Sequence, residues 1–325
     1  MSDLPRKIAV IGAGDIGRGW AALCASAGWP VSIFDTDGEV LERAMTEVAR
    51  RARALISFER APQGIVERGL LELHQGRSLL HAVRDADWVI EAVPEDLQAK
   101  QTAFERIEEV AGPDALLTSS TSGLPPTEIF ARCRAPTRCL VAHPLNPPEL
   151  VPLVELVPGD FTDSAAITRA DGYLRALGRL PITLRRAVPG FVVGRIAAAV
   201  WRECIDLVLQ GVIEVDDLDR AVSLGPALGW AAAGPHLTYH LAAGQGGVPI
   251  FLRQLLSSFE SWWGTLASWQ KLEPEQQHAL IQLIERSYKG KVDMLRQARD
   301  RRLNAIVKAL DDSRGDAAAP PPPAS

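Results

Sequence analysis

The stretch that decides the fold is K-I-A-V-I-G-A-G-D-I-G, Lys7 to Gly17. A short apolar run, Lys7–Ile11, enters the turn Gly12-Ala13-Gly14-Asp15-Ile16-Gly17, and a helical pattern, Ile16–Ala27, follows at once. A strand that is apolar on both faces belongs in a sheet covered on both sides. In this strand–turn–helix setting Gly12 allows the tight turn, Gly14 lets backbone approach a pyrophosphate, and Gly17 lets the helix pack on the strand. The helix N-terminus, opened by Asp15 and Ile16, then offers unpaired N–H groups and partial positive charge to phosphates. The next strand, V-S-I-F-D, ends in Asp35, 18 residues beyond Gly17. A carboxylate there accepts hydrogen bonds from a ribose diol and repels a 2′-phosphate. Glycines that merely build a turn leave Asp35 unexplained, so the cleft is read as a dinucleotide site, for NAD rather than NADP.

The same alternation continues outward. Apolar runs recur at Val31–Asp35, Trp88–Val93, Leu116–Ser119, Arg138–Ala142, Val151–Val157 and Leu180–Leu184, with helical stretches such as Gly38–Phe58 and Ser164–Leu177 between them. This is the pattern of an α/β fold: a Rossmann-type, mostly parallel sheet domain, expected over residues 1–188. After Pro189-Gly190 the pattern is helical throughout, with breaks at Gly225-Pro226, Gly234-Pro235, Gly244–Pro249 and Glu273-Pro274. An all-α domain is expected over 189–311, and a disordered tail over 312–325, where no apolar residue exceeds Ala or Pro.

The 325 residues allow two cores, and a composition 47% hydrophobic and 23% charged is that of a globular protein. A net charge of -5 argues against a nucleic-acid or anionic-membrane surface. The basic run Arg50-Arg51-x-Arg53 reads as a solvated helix face. Four cysteines without C-x-x-C spacing suit a reducing cytoplasm. The absence of a signal-peptide pattern or a long apolar span agrees with that location and predicts no membrane association.

Three polar features close successive strands, where ligands bind in open α/β sheets. They are Glu91 and Glu95 in V-I-E-A-V-P-E-D-L-Q-A-K, Ser119–Ser122, and His143 with Asn146 in H-P-L-N-P-P-E-L-V-P-L-V-E-L. Glu155 lies inside the second apolar run of that last segment, and a buried carboxylate is costly unless it is paired. It is read as the partner of His143: it fixes the ring tautomer and leaves the other nitrogen free as a base. His143 would then take the proton of a substrate hydroxyl while hydride leaves the same carbon for NAD. Ser122 is placed to hold the same oxygen, or simply to cap the following helix.

These residues resemble the 3-hydroxyacyl-CoA dehydrogenase superfamily. The carrying motifs are I-G-A-G-D-I-G-R-G-W-A, V-I-E-A-V-P-E-D-L-Q-A-K, S-S-T-S-G-L, H-P-L-N-P-P-E-L-V-P-L-V-E-L and V-P-G-F-V-V-G-R, in the family's order and across most of the chain. The length and G-P-H-L-T-Y-H-L-A-A-G-Q-G-G, from Gly234, resemble the branch acting on free 3-hydroxy acids, which includes lambda-crystallin (L-gulonate 3-dehydrogenase) and L-carnitine dehydrogenase. The resemblance implies a homodimer and NAD-dependent oxidation of a 3-hydroxyl, with an L-gulonate-like acid expected first and L-carnitine or a 3-hydroxyacyl-CoA as alternatives. It matches Ser122, His143 and Glu155 to catalytic positions, Asn146 to the substrate side, and Glu95 and Lys100 to the cofactor side. One departure stands out: Gly194 precedes Arg195 where the family usually carries an asparagine that touches substrate. Arg195 is a candidate cation for a free carboxylate by adjacency alone.

Other classes fit less well. Ser122, His143 and Glu155 also spell a hydrolase triad, but Ser120-Thr-Ser-Gly-Leu124 lacks the leading glycine of a nucleophile elbow. A non-catalytic NAD-binding protein is a further alternative, given Gly194. His236 and His240 have i, i+4 spacing without the glutamate or third ligand of a zinc site, so no metal is expected. Phe259, Trp262, Trp263 and Trp269 suggest a core or a dimer interface, or a cage for a quaternary ammonium group. An acyl-CoA would need a cation for its 3′-phosphate, which the Arg50–Arg60 segment offers.

Overall fold

The computed structural model describes residues 4–290 and 292–316. The chain divides into two compact units, one of residues 4–195 with Arg299–Asp311, the other of Ile196–Ala298 with the residues from Asp312 onward.

The first unit is built on eight strands: β1 (Ile8–Ile11), β2 (Val31–Phe34), β3 (Leu73–Gln75), β4 (Trp88–Glu91), β5 (Leu116–Ser119), β6 (Cys139–Pro144), β7 (Leu153–Pro158) and β8 (Leu180–Thr183). They lie in the order β3-β2-β1-β4-β5-β6-β7-β8. All neighbours are parallel except β6 and β7. Strands β1, β4, β5 and β6 are buried at every residue, as apolar runs without alternation require. Two buried clusters cover the two faces. Ile8, Val10, Ile33, Trp20 and Trp88 belong to one, and Ala9, Val89, Leu117, Phe104 and Phe130 to the other. The fold is the α/β, mostly parallel sheet followed by helices that the sequence predicts. Strand β3 is the one strand without a sequence signal, three residues at the sheet edge of which Leu73 is half-buried and His74 and Gln75 are exposed.

The helices Asp15–Ser26, Gly38–Ser57 and Ser164–Ala176 match their sequence patterns to within a residue or two. The Asp37 side chain caps the second, accepting from the amides of Glu39 and Val40.

The first compact unit runs on past the boundary expected at 188/189 to Arg195, because the chain from Gly190 to Arg195 packs with the sheet: Phe191 is fully buried there. The end of the span 189–311 also packs with that first unit. In Arg299–Asp311 the Asn304 Oδ1 and Asp311 carboxylate accept from Arg60 at 2.9 and 2.8 Å, and Val307 is buried. The helix Val292–Asp316 runs past residue 312, where a disordered tail is expected, and residues 317–325 of that tail lie outside the described residues.

The second unit is all-helical, and helices begin at three of the expected breaks: Pro226 and Pro235, each after a glycine, and Pro274, after Glu273, each open a helix. Phe259 stacks near Trp262 and Trp263, ring centroids 5.1 and 6.0 Å apart, and both tryptophans are more than half exposed, so they are not core residues. Trp269 donates its indole N–H to Asp206. The His240 Nδ1 accepts from the Val248 amide, a helix-packing role. Among the described residues no helix is long and apolar enough to cross a membrane.

Candidate active site

The dinucleotide cleft starts at the end of β1. Gly12 has φ +104, open to glycine and strained for any other residue, and an added Cβ would stand 2.4 Å from the Ala92 carbonyl oxygen. At Gly17 an added Cβ would come 1.9 Å from the Gly12 oxygen, so the helix is pressed against its own turn. At Gly14 an added Cβ meets nothing within 4 Å: the backbone faces open space. The three glycines therefore meet three separate steric demands of a pyrophosphate-binding turn. Gly12, Gly14, Asp15, Ile16 and Asp35 line a cleft of about 620 Å3 with Leu79, Val93 and Thr102, which suits a dinucleotide's adenosine half. Asp35 also braces the turn, accepting from the Ala13 amide at 2.7 Å and the Asp37 amide at 3.0 Å. The Asp15 side chain is engaged by Arg51, which leaves its backbone to face a phosphate.

A second cavity of about 480 Å3 adjoins this cleft, since Ile16, Ala92 and Val93 line both. It brings together Glu95, Ser120, Ser122, His143 and Asn146, at or just beyond the ends of β4, β5 and β6, with Lys100 from the helix Leu97–Val110. Antiparallel pairing of β6 with β7 sets His143 directly opposite Glu155, which puts both side chains on the same face. His143 Nδ1 lies 2.8 Å from Glu155 Oε2. Glu155 is wholly buried, and its other oxygen accepts from the amides of Val192 and Val193 at 2.9 and 3.1 Å. Those amides open the helix Val193–Leu209, so the carboxylate sits where a helix offers free donors. Reaching it takes two successive left-handed residues, Gly190 at φ +73 and Phe191 at φ +48. For phenylalanine that conformation is strained, and its complete burial 5.7 Å from the His143 ring holds it in place.

The carboxylates on the opposite wall are organised by hydrogen bonds. Lys100 is 1% exposed; its ammonium donates to Glu91 at 2.8 Å and lies 3.4 Å from Glu95. Buried Glu91 also accepts from Ser119 at 2.5 Å and the Val93 amide at 2.7 Å. Burial pushes the Glu91 carboxyl above its ordinary range, against the pull of Lys100, Ser119 and Val93. Glu95 accepts from the Thr121 hydroxyl at 2.6 Å and from the Ser122 amide and hydroxyl at 2.9 and 3.2 Å. Partial burial works to raise its pKa too, but these donors and the Lys100 charge outweigh it and hold it below the ordinary carboxylate value.

Asn146 is exposed, and among the described residues its amide has no hydrogen-bond partner, which leaves it available to a ligand. Arg195 is not brought to the cavity: it is exposed, and its guanidinium leans on the Pro189 carbonyl at 3.4 Å. The residue before it does face the site. An added Cβ on Gly194 would stand 3.7 Å from the Ser122 carbonyl, so an asparagine there would fit beside the serine.

Residues 7–187 match the 3-hydroxyacyl-CoA dehydrogenase NAD-binding domain family, and residues 190–280 match the 3-hydroxyacyl-CoA dehydrogenase C-terminal domain family. The chain belongs to the 3-hydroxyacyl-CoA dehydrogenase family. It is similar to L-carnitine dehydrogenase of Burkholderia mallei, 36% identical with 93% of each chain covered. It is similar too to L-carnitine dehydrogenase of Pseudomonas aeruginosa, 35% identical with 95% of each covered. Among solved structures it resembles 5-formyl-3-hydroxy-2-methylpyridine 4-carboxylic acid 5-dehydrogenase, described as an NAD+ dependent dismutase. That likeness has a TM-score of 0.79 and 30% identity, covering 94% of this chain and 98% of that one. The protein is an NAD-dependent oxidoreductase. The glycine turn and Asp35 fit a dinucleotide, which when bound would supply the hydride acceptor.

Sequence reasoning did not find the Val192 and Val193 amides, the bent Gly190-Phe191 step or the Trp20 indole, which donates to Ser120 at 3.1 Å in the cavity wall. The proline–glycine pair before Phe191 was the only local sign of the bend.

Proposed function

We propose that the protein oxidises the 3-hydroxyl of a small free 3-hydroxy acid to the 3-keto acid, and that the acid is L-carnitine or one of its close chemical relatives. The observation that carries this reading is the buried His143–Glu155 pair at 2.8 Å beside the dinucleotide cleft. With Nδ1 given to Glu155, Nε2 is the nitrogen left to accept the hydroxyl proton. Glu155 stabilises the charge the ring acquires; NAD, when bound, would supply the acceptor for the hydride of the same carbon. Ser122 and Asn146 orient the substrate oxygens. Gly12, Gly14, Ile16, Asp35 and the backbone of Asp15 would hold the adenosine and pyrophosphate, with Gly17 packing the helix on the turn and Glu95 and Lys100 on the cofactor side. Arg195 is kept as a cation for the substrate carboxylate only if it swings from Pro189.

An L-gulonate-like substrate, the first expectation from sequence, is not supported: relatives matched over nine-tenths of the chain, in Burkholderia mallei, Streptomyces coelicolor and Pseudomonas aeruginosa, are L-carnitine dehydrogenases. Two features of the site favour a compact acid with a bulky head. Gly194 opens room beside Ser122 where an asparagine would stand. The arginines that a CoA 3′-phosphate would need are already committed, Arg50 to Glu47, Arg53 to Glu67 and Arg60 to Asp311. The test is NADH formation with L-carnitine, L-gulonate, 3-hydroxybutyrate and 3-hydroxybutyryl-CoA in parallel. Turnover confined to L-carnitine supports the reading, and turnover of the thioester alone overturns it.

A homodimer in the cytoplasm belongs to the same proposal. Exposed Leu237, Leu241, Trp262 and Trp263 give the helical unit an apolar surface that a second copy would cover. Sedimentation as a monomer at micromolar concentration would contradict it.

A further inference from the structure

Arg51 belongs to the basic run read from sequence as a solvated face. Arg50 and Arg53 are indeed on the surface, but Arg51 is 7% exposed. Its guanidinium meets acids from three segments. It pairs with the Asp15 carboxylate at the first position of the helix after the glycine turn, and donates to the Asp15 carbonyl at 3.2 Å. It donates to Glu47, one turn back on its own helix, at 3.0 Å, and reaches Glu149 at 3.5 Å. Glu149 follows Asn146-Pro147-Pro148, is 8% exposed, and its Oε2 has no hydrogen-bond partner among the described residues.

The segment carrying Glu149 is pressed onto the first helix. A Cβ added to Gly19 would stand 2.6 Å from Pro148 Cδ and 2.7 Å from Glu149 Oε2. From the other side Arg179 donates to the carbonyls of Pro148, Glu149 and Val151 at 3.3 to 3.5 Å. The Asn146 loop is thus held between two arginines, and one of them also holds the dinucleotide turn.

Asp15 raises an electrostatic difficulty. Its side chain is half exposed beside the place where the cofactor's doubly negative pyrophosphate would lie, and like charges oppose one another there. Arg51 eases the difficulty by holding the carboxylate in an ion pair, its positive charge set against Asp15 while it also reaches Glu47 and Glu149.

We propose that Arg51 is a positioning residue that joins the dinucleotide turn to the Asn146 loop, neutralising Asp15 beside the pyrophosphate and anchoring Glu149 three residues beyond Asn146. The loop's part in this rests on the assignment of Asn146 to the substrate cavity. Cofactor occupancy is then transmitted to the loop through one guanidinium.

NADH fluorescence titration tests the first half without any substrate, so its failure is distinguishable from a wrong substrate. Arg51→Met should weaken NADH binding at least about tenfold, while the double variant Arg51→Met/Asp15→Asn should return to within about threefold of wild type. Equal, weakened affinities for the single and double variants would mean that Arg51 is merely structural, and would overturn the proposal. Should the buried Glu149 charge prevent Arg51→Met from folding, Arg51→Met/Glu149→Gln with and without Asp15→Asn gives the same comparison. Amide exchange reads the second half. In wild type, NADH should slow exchange at residues 12–17 and at 145–150, and in the folded Arg51 variant at saturating NADH only at 12–17. Protection of both segments in that variant would refute the coupling.

Discussion

Replacing Glu155 by glutamine removes a charge but no heavy atoms, and the surrounding hydrogen bonds dictate the cost. The carboxylate serves two sides at once: Oε2 faces His143 Nδ1 at 2.8 Å, and Oε1 accepts from the Val192 and Val193 amides at 2.9 and 3.1 Å. A glutamine has one acceptor end and one donor end. Turning the oxygen toward the two amides points its NH2 at His143, so Nδ1 must become the acceptor and the ring proton moves to Nε2. That is the nitrogen required to accept the substrate proton, and the ring can no longer act as a base. The opposite rotamer keeps the useful tautomer but strands two buried N–H donors, at about 1–3 kcal/mol each. A penalty of about 2–6 kcal/mol corresponds to about 30-fold at its low end and more than 10,000-fold at its high end. A general base contributes about 100- to 10,000-fold in all, which sets the ceiling. Glu155→Gln should therefore lower kcat for L-carnitine oxidation by about 30- to 10,000-fold, measured as initial NADH formation, with NADH affinity within about twofold. Because a tautomer and not a protonation state is at fault, alkaline pH should not restore the rate. A kcat within about threefold of wild type, or full recovery at alkaline pH, would refute the reasoning.

Three further outcomes are expected. Gly194→Asn places an amide beside Ser122 and fills the space there; it should lower kcat/KM for L-carnitine at least about tenfold while improving that for 3-hydroxybutyrate, and a parallel loss on both would count against Gly194 as a specificity position. Gly12→Ala combines the strained φ +104 with a Cβ 2.4 Å from the Ala92 oxygen; a destabilisation of more than about 1–2 kcal/mol, with loss of NADH binding, is expected in thermal melts and titrations, and wild-type behaviour in both would contradict the role of the turn. The Arg50 hydrogen bond, with Arg51 adding and burial opposing, lowers the Glu47 carboxyl from 4.5 to about 2. A depressed folded pKa adds stability above the unfolded value that is lost as pH falls through the folded one. The denaturation difference between wild type and Glu47→Gln should thus be full above pH 4.5 and close as pH falls toward about 2; a gap constant over that range would refute the pairing.

Much of this architecture was legible because it obeys local rules. β1, the glycine turn and Asp35 can be read in sequence, since each glycine answers a separate steric demand that appears again as a close backbone approach or an open face. The His143–Glu155 pair was legible because an acid in an apolar strand calls for a partner, and register then puts the two opposite each other. The groups that hold the far side of Glu155 were not, since main-chain amides carry no residue signature. The burial of Arg51 was hidden for a related reason: Arg50-Arg51-x-Arg53 looks like a surface run until the Asp15 and Glu149 segments fold onto it. Strand β3, three residues at an edge, lacks an apolar pattern to announce it. The return of Arg299–Asp311 to the first unit depends on Arg60 and Val307, far apart in the chain, and helical periodicity says nothing about where a helix docks.

The central claim is that His143 is the base of an NAD-dependent oxidation. The measurement that tests it most directly pairs NADH titration with NADH formation on L-carnitine for wild type and His143→Gln. The account predicts that the variant binds NADH within about twofold of wild type and that its turnover falls at least about 100-fold, the low end of what a positioned base contributes. Turnover close to wild type in a variant that still binds NADH would contradict it.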